Sequence, residues 1–534
     1  MSELPNGWIP THAIEIATPI RGVTYKKEQS CDIPSLGYTA VLRANNIQKD
    51  KINLTDLVYV PNECISNEQQ LLENDIVIAM SSGSASVVGK TAQIAEEINA
   101  SFGAFCGTLR PSHFIEPRYL GHFLKSDAYR SRISELSRGV NINNLKWSHF
   151  EEIEIPLAPL PEQKRIADKL DTLLARIDAC RDRLDCIPKI IKQFRQSVLA
   201  AATSGRLTED WRAAQADRVA QMQPQEESGM VARDAAHCLY EVSHTPDFAA
   251  LHPGYTCATT LANLIHASHQ AVGGHKTGNA AAPTEDVHDL SPEMFPQSWA
   301  LITLRDVVQP NRPITYGILK PGPEIDDGVS YIRVADFPGN KLNLATIRKT
   351  SKSMDEEFKR SRLRPGDLII SIRGTVGRII FIPTELNGAN ITQDSARLSI
   401  QPFVNSRFVY WYLQSPMAQD RMKGSTKGVA VRGINIGDVR ALQLPLPSRS
   451  EQDEIVRRVE NLFDLADRLE ARVATVRARV GSLTPATLAK AFRGELVPQD
   501  PNDEPASVLL ARICAERAGK PPARRTGRGP AQSV

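Results

Sequence analysis

Apolar residues recur with a heptad spacing downstream of Ile166. The steps alternate between four and three residues along Ile166, Leu170, Leu173, Ile177, Cys180, Leu184, Ile187, Ile191, Phe194 and Val198. A period of 3.5 residues sustained over about four heptads is typical of a helix that packs against another helix in a coiled coil. The pattern therefore predicts a helix of about 40 residues, or ~60 Å, with one apolar seam.

The same spacing returns 289 residues later. Nine of ten positions are apolar in the series Ile455, Val459, Leu462, Ala466, Leu469, Val473, Val476, Val480, Leu483 and Thr487. Gly205 and Gly494 are expected to end the two helices, and Pro188 and Pro485 to kink or briefly break them. Because each helix has a single seam, we expect the two to pair with each other within the chain.

The duplication extends upstream of the helices. PEQKRI at 161–166 corresponds to SEQDEI at 450–455, and IPL at 155–157 corresponds to LPL at 444–446. Further upstream the offset drifts by a residue or two, as loop insertions would cause: NDIVI at 74–78 faces GDLII at 366–370. A repeat of this length indicates a duplicated domain pair and not a stacked solenoid.

The repeat divides the chain into six predicted segments. These are a first domain at 1–157, a first helix at 158–210, a linker at 211–292, a second domain at 293–446, a second helix at 447–500 and a disordered basic tail at 501–534. Each domain mixes strand-like runs, such as 76–80, 368–372 and 378–382, with helical stretches at 117–135 and 405–423. The predicted fold class is α+β: two duplicated α+β domains, each followed by a long helix, with the helices paired as an antiparallel coiled-coil spacer.

Glycine-rich polar loops recur at corresponding places in both domains, at 81–90 and 373–378 and then at 137–146 and 423–435. Lys and Arg side chains can contact phosphates, whereas Asn, Ser and Arg can pair with base edges. The candidate DNA-binding residues are Lys90, Arg138, Lys146, Arg373, Arg378, Lys423, Lys427 and Arg432. The loop 423–432 is the preferred candidate because it contains three cations and no acid. The alternative is that these loops are ordinary polar hairpin tips.

Composition changes this picture little. Across 534 residues, 64 Lys and Arg against 61 Asp and Glu leave a net charge of +3, so a basic surface would have to be local. An apolar content of 41% is that of a globular protein. The eight cysteines form no CxxC pair, and no signal peptide or membrane-length apolar run is found, so we expect a cytoplasmic protein with reduced thiols.

Two motifs suggest chemistry that we judge to be accidental. The stretch 83–91 resembles a phosphate-binding loop but has five residues between its glycines where that motif has four. The linker holds seven of the eleven histidines, including His266 and His269 at helical spacing, without a paired-cysteine or HExxH framework. We find no methyltransferase or nuclease signature, and we predict no metal, no cofactor and no catalytic residue.

The run PLAPLPEQKRIADKLDTLLARIDACRDRL and its second copy, PLPSRSEQDEIVRRVENLFDLADRLEARV, resemble the helical regions of Type I restriction-modification specificity subunits. The openings GWIPTHAIEIA and SWALITLRDVV resemble the start of that family's target-recognition domains. The resemblance covers nearly the whole chain except 211–292 and the tail. Two copies of the helical motif, each behind such a domain, are highly specific.

The resemblance implies a non-catalytic subunit that reads double-stranded DNA. Each domain would read one half of a bipartite, asymmetric target, while the helices would fix the spacer between the halves and dock the methyltransferase subunits. The residues assigned to the spacer and docking helices are Ile166, Leu170, Leu173, Ile177, Leu184, Ile455, Val459, Leu462, Leu469 and Val473. Separate modification and ATP-dependent restriction subunits would supply all catalysis. Two alternatives stay open: a Type IIB-like methylase–nuclease system, and a coiled-coil scaffold that binds no DNA.

Overall fold

The computed structural model describes residues 4–48, 50–84, 86–137, 143–221, 262–263, 265, 267, 290–426 and 433–519. The chain forms two compact units. The first comprises residues 1–186 and 473–534, and the second comprises residues 187–472. The division falls inside both long helices, so each unit contains part of each helix.

The first repeat alternates short strands and helices. Its strands are β1 (Ile9–His12), β2 (Ala17–Arg21), β3 (Tyr38–Leu42), β4 (Ile47–Gln48), β5 (Lys51–Ile52), β6 (Val58–Pro61), β7 (Ile76–Ala79), β8 (Ser81–Ser82), β9 (Thr91–Gln93), β10 (Ala100–Phe102), β11 (Cys106–Pro111), β12 (Asn143–Asn144) and β13 (Glu154–Leu157). Its helices are α1 (Ala13–Ile16), α2 (Pro117–Phe123), α3 (Asp127–Leu136), α4 (Leu160–Thr203) and α5 (Glu209–Gln221).

The second repeat has a similar series. Its strands are β14 (Ala300–Thr303), β15 (Thr315–Tyr316), β16 (Val329–Ile332), β17 (Arg348–Thr350), β18 (Leu368–Ser371), β19 (Ile379–Phe381), β20 (Asn390–Ile391), β21 (Ser395–Leu398) and β22 (Gln443–Leu446). Its helices are α6 (Lys352–Glu357), α7 (Ser406–Gln414), α8 (Pro416–Gly424), α9 (Ile436–Ala441) and α10 (Arg449–Phe492), and α11 (Ala506–Ala518) follows them.

The strand order is the same in both repeats. The four-stranded sheet runs β2-β11-β7-β9 in the first and β15-β21-β18-β19 in the second. A three-stranded sheet runs β10-β3-β6 in the first and β20-β16-β17 in the second, and the entry strand pairs with the exit strand in β1-β13 and β14-β22. The central strands β7 and β18 are buried at every position, which explains their continuous apolar sequences. The predicted duplication is therefore confirmed at the level of strand pairing.

The predicted single helix of each domain is divided in two. Ser126 begins α3 by accepting a hydrogen bond from the Tyr129 backbone N–H, and Ser415 begins α8 by accepting one from the Ala418 N–H. Both serines have extended backbone conformations. A serine at this position caps a new helix, because its hydroxyl satisfies an N–H that lacks a partner within the helix. The apolar periodicity alone did not separate the two segments.

The long helices α4 and α10 each contain 44 residues, about 66 Å at 1.5 Å per residue. Their helical assignment continues through Pro188 and Pro485. The helices are therefore not broken at the prolines, and the alternative, a kink at each proline, stays a prediction. Gly205 and Gly494 follow the helices with φ of 81° and 75°, the conformation expected at a helix end.

The sequence predicted that the whole segment after residue 500 is disordered, but part of this segment is helical. Helix α11 buries Ala506, Leu509 and Ile513 in the core of the first unit. The Ala506 N–H donates to the Gly7 carbonyl at 2.9 Å. The last residues are basic and rich in proline and glycine, and this composition had concealed the short amphipathic run ahead of them. Residues 520–534 lie outside the described part of the chain.

Candidate nucleic-acid interface

In the first unit, the two predicted polar loops lie side by side. Strand β8 pairs antiparallel with β12, so that Ser82 lies opposite Asn143 and Ser81 opposite Asn144. The Leu145 N–H donates to the Met80 carbonyl at 2.8 Å. About 60 residues of sequence separate these loops, and the sheet brings them together.

The second unit repeats this arrangement. Arg373 lies opposite Gly433 in an antiparallel bridge, and the Ile434 N–H donates to the Ile372 carbonyl at 2.9 Å. Residues 427–432 lie outside the described part of the chain, so Lys427 and Arg432 have no structural description, and the same holds for Arg138 in the first unit.

Lys90 and Arg378 occupy equivalent backbone positions in the two units. The Lys90 carbonyl accepts from the Ala79 N–H, and the Arg378 carbonyl accepts from the Ser371 N–H, both at 2.9 Å. The glycine before each of them has positive φ, 74° at Gly89 and 87° at Gly377. This turn places each cation at the start of a strand.

The turn also explains the glycine that had suggested a phosphate-binding loop. A Cβ atom at Gly89 would lie 2.3 Å from Ile133 Cγ2, so only glycine fits against helix α3. Thr91 lies in strand β9 and donates its hydroxyl to the Leu124 carbonyl at 3.2 Å. A phosphate-binding loop leads into a helix whose N–H groups face the phosphate, and no such helix follows here within the described residues.

The described candidate cations differ in exposure. Lys146 and Arg373 are exposed, and the Arg373 guanidinium donates to Gln393 Oε1 at 3.2 Å. Arg378 is half-buried, and its guanidinium donates to the Val334 carbonyl at 3.3 Å. Lys423 is exposed but lies 3.5 Å from Asp420 one turn earlier, so the acid-free loop begins beside a carboxylate. Among the described candidates of the second unit, Arg373 is therefore the cation that is exposed and makes no ion pair.

A groove of about 630 Å³ lies next to Arg373 in the second unit, lined also by Tyr316, Leu319, Gln393 and Asn435. Tyr316 and Leu319 are 46% and 50% exposed, so they present apolar surface to solvent at this groove. Sequence analysis did not select Tyr316 or Gln393. Their only signal was position, since Tyr316 ends β15 and Gln393 lies between β20 and β21.

The duplicated Glu-Gln pair at the start of each long helix fastens that helix to its own domain. Trp8 Nε1 donates to Glu162 at 2.9 Å, and Trp299 Nε1 donates to Glu451 at 3.0 Å. Burial raises the pKa of Glu162, although the hydrogen bond from Trp8 partly opposes this. The glutamines are buried too: Gln163 accepts from the Glu116 N–H at 3.0 Å and donates to the Ala158 carbonyl at 2.8 Å.

In the second repeat, Gln452 makes the equivalent two hydrogen bonds, with the Asn405 N–H and the Pro447 carbonyl. Each glutamine therefore accepts a hydrogen bond from one backbone N–H with its side-chain oxygen and donates one to a backbone carbonyl with its side-chain nitrogen. The motif shared by the two copies is therefore a joint between domain and helix. In the first copy, Oε1 of the buried Glu162 has no hydrogen-bond partner.

The helices run antiparallel within each unit. In the first unit, Asp185 contacts Arg477 at 2.7 Å while Arg181 donates to Thr484 at 3.5 Å. In the second unit, Arg195 contacts Glu470 at 3.0 Å, and Arg458 contacts Asp210 at 2.6 Å. In both units, as the residue number rises along the first segment, the number of the residue that it contacts on the second segment falls. The two segments therefore run antiparallel. This part of the predicted fold is confirmed.

The apolar seam is buried only over part of its length. Five of the assigned residues are buried: Ile166, Leu170, Ile177, Ile455 and Val459. Four are half-buried: Leu173, Leu184, Leu462 and Val473. Leu469 is 44% exposed, as is the seam residue Val476, and Leu483 is 47% exposed. The seam therefore leaves apolar surface uncovered toward the middle of the helices.

Other chemistry is absent from the described residues. No three His, Cys, Asp or Glu side chains come together there in a way that could hold a metal ion. The histidine-rich part of the predicted linker, with His266 and His269, lies outside that part of the chain. No described helix combines the length and apolar content that crossing a membrane requires.

Comparison with known proteins identifies the family. The model of the Type I restriction modification DNA specificity domain matches residues 14–188 and 296–475, once in each repeat. The StySPI specificity subunit from Salmonella potsdam is 36% identical over 97% of this chain and 96% of its own length. The EcoKI specificity subunit from Escherichia coli (strain K12) is 34% identical over 97% of both chains.

Solved structures have the same fold. An HsdS subunit from Thermoanaerobacter tengcongensis aligns with a TM-score of 0.53 and 19% identity, covering 92% of this chain and 98% of its own. A structure concerned with complex assembly and conformational transition of the type I R-M system aligns with a TM-score of 0.55 and 17% identity, covering 93% of this chain and all of its own. Both the duplicated α+β units and the matched family define a DNA-specificity subunit, a class that does not itself catalyse. The chain belongs to the family of Type I restriction-modification specificity subunits.

Proposed function

We propose that this chain directs a Type I restriction-modification complex to a bipartite, asymmetric DNA sequence, with each unit reading one half-site. The observation that carries this proposal is the pair of adjoining polar loops present in both units of a chain of this family. Exposed polar and cationic side chains at the rim of a sheet can reach both phosphates and base edges.

Divergence of the two loop pairs supports different half-sites. Ser81 lies opposite Asn144 in the first unit, whereas Arg373 takes the equivalent bridging position opposite Gly433 in the second. Arg can bond a guanine bidentately in the major groove, and Ser has no such preference. Lys90 likewise has Arg378 as its counterpart. Because side chains at equivalent positions differ, two unlike base sequences are expected.

The long helices would separate the two readers and dock the modification subunits. The uncovered apolar residues Leu465 and Leu469 in the second unit and Val476 and Leu483 in the first support a protein partner at these helices. Methylation and ATP-dependent cleavage would belong to the modification and restriction subunits. The complex would act in the cytoplasm, which agrees with the absence of a disulfide among the described cysteines.

The test is single-molecule methylome sequencing of a host that carries this gene with its modification partner, compared with a deletion strain. We expect a bipartite N6-methyladenine motif that disappears on deletion. A host in which no motif depends on the gene would contradict the proposal. Co-purification with separate modification and ATP-dependent restriction subunits would distinguish this complex from a Type IIB-like fused methylase–nuclease.

The role of the loops is tested with purified complex on the motif so identified. Arg373→Ala is expected to weaken target binding by ~1–3 kcal/mol if Arg373 reads a base, and to relax the sequence preference at one position. Lys423→Ala with Lys427→Ala is expected to weaken binding to all duplexes and to make its salt dependence shallower. Unchanged affinity and salt slope in both variants would remove these loops from the interface.

A further inference from the structure

The second unit contains a basic cavity that none of the loops described above forms. Its volume is about 550 Å³, within the range of small-ligand sites. Seven of the fourteen residues that line it are Arg or Lys, and within the described chain no Asp or Glu is among them. The wall is built from five separate segments, near 311–315, 359–364, 387–388, 397 and 440.

Three of the seven cations already have carboxylate partners behind the wall. Arg312 makes two hydrogen bonds of 2.9 Å to Asp367, which is itself buried. Arg362 contacts Asp355, and Lys359 contacts Glu356. Ion pairs therefore balance the charge of these three side chains locally.

The other four cations, Arg360, Arg364, Arg397 and Arg440, have no carboxylate partner among the described residues. Arg397 is the most informative, because it lies on β21 and is only 3% exposed. Its guanidinium donates to the carbonyls of Arg360 at 2.7 Å, Arg362 at 3.2 Å and Pro313 at 3.1 Å, and its Nε has no partner. A buried guanidinium that makes no direct ion pair is costly unless an anion neutralises it.

The electrostatics of the cavity agree with this view. Burial lowers the pKa of Arg397 to about 10, the neighbouring Arg312 cation contributes in the same direction, and the Asp367 carboxylate partly opposes both. Burial also lowers the pKa of Arg440, again with help from a nearby cation, Arg305. Each guanidinium is thus destabilised in its charged form, and an anion in the cavity would relieve both.

The first repeat lacks this cavity's central charge. Thr108 on β11 pairs with Val77, as Arg397 on β21 pairs with Ile369, and both partners lie two residues after the equivalent residues Asp75 and Asp367. Thr108 is therefore the counterpart of Arg397. The common fold does not require the arginine, so its presence in one repeat points to a ligand of that repeat.

We propose that this cavity binds a phosphate group, and that the group is a backbone phosphodiester of the DNA held by the second unit. The ligand class follows from the geometry: several arginines converge, and guanidinium groups match phosphate oxygens in shape and charge. The identity of the source rests on the proposed function, since a free phosphate would offer the same oxygens. A phosphate held here would position the duplex without reading its sequence.

The experiment removes the two exposed cations that have no carboxylate partner, in the variant Arg360→Ala/Arg364→Ala. Arg397 is left intact, because its loss would strand buried carbonyls and endanger the fold. The control Lys341→Ala/Lys349→Ala removes two exposed cations of the same unit away from the cavity. Binding of the purified complex with its modification subunits to a target duplex is measured by fluorescence anisotropy across a KCl series.

If both arginines contact phosphate, the slope of log K against log[KCl] falls by about 0.9 per lost contact. Between 50 and 200 mM KCl the variant should then lose roughly tenfold less affinity than the unmodified complex, whereas the control should match the unmodified complex. A duplex with one neutral methylphosphonate linkage in the second half-site should bind the unmodified complex more weakly and leave the variant unaffected.

A parallel calorimetric titration with inorganic phosphate, without DNA, identifies the other source. Saturable binding that the variant loses, combined with unchanged DNA binding, would support the phosphate site and assign it to a free anion. An unchanged salt slope together with no phosphate binding would overturn the proposal, as would an equal effect of the control. If the unmodified complex binds no duplex, the proposed function fails, and the phosphate titration still tests the cavity.

Discussion

Two leucines of helix α10 allow the sequence pattern and the tertiary structure to be compared directly. Leu483 belongs to the predicted heptad seam, but it is 47% exposed. Leu488 lies outside that seam, yet it is 1% exposed and packs in the core of the first unit with Ala491 and Phe492. Beyond Pro485 the buried face has therefore moved by one residue relative to the heptad.

Replacing Leu488 by alanine should cost ~2–5 kcal/mol, because the side chain is removed from a closed core and leaves a cavity. Replacing Leu483 by alanine should change the free energy of unfolding by about 0.5 kcal/mol or less, since half of that side chain already faces solvent. For a unit of this size each kcal/mol corresponds to roughly 2–4 °C in Tm. A loss of ~3 kcal/mol would lower the Tm of the first unit by about 6–12 °C.

The assay is differential scanning calorimetry of the purified chain, followed by co-purification with the modification subunit. Leu488→Ala should lower the transition, while Leu483→Ala should leave it in place and weaken the association with the partner. Equal destabilisation by both variants would refute the argument, because it would mean that the heptad seam stays buried through Pro485.

Three further predictions test other parts of the structure. Asp367→Asn breaks the buried ion pair with Arg312 and should destabilise the second unit by ~3–5 kcal/mol in urea unfolding. The control Asp56→Asn, which changes a carboxylate that is 74% exposed, should cost at most ~1 kcal/mol. Similar costs for the two variants would contradict the argument from burial. Gly89→Ala should destabilise the first unit by ~2 kcal/mol or more, because Gly89 has a positive φ and an added Cβ atom would clash with α3. Gly83→Ala, where an added Cβ atom would meet no neighbour, should leave the stability unchanged in the same calorimetric assay. Hydrogen bonds from two arginines lower the pKa of Glu454 to about 2. The contribution of Glu454 to the free energy of unfolding is therefore complete above the ordinary pKa of a glutamate and is lost as the pH falls toward 2. Glu454→Gln should cost up to ~1 kcal/mol at pH 7, and a difference between the two proteins that does not change with pH would contradict this assignment.

Some of the candidate interface was accessible from the sequence, and some was not. The polar loops were found because glycine-rich, cationic stretches recur at matching places in both repeats. Tyr316 and Gln393 were missed, because nothing in their neighbourhood marks them until β15 and β21 place them beside Arg373. The ion pair of Lys423 was not foreseen, since its partner Asp420 lies just outside the segment whose charges were counted.

The duplication, the two long helices and their antiparallel pairing could be predicted from the sequence, and so could the family. These features are periodic and local: a helix that buries one face must repeat apolar residues at 3.5-residue intervals, wherever its partner lies. Tertiary structure decided the buried face near Pro485, the docking of α11 and the meeting of distant loops. It also assembled the basic cavity around Arg397 from five segments. Such contacts depend on which strands pair and in which register, and no local period in the chain records that choice.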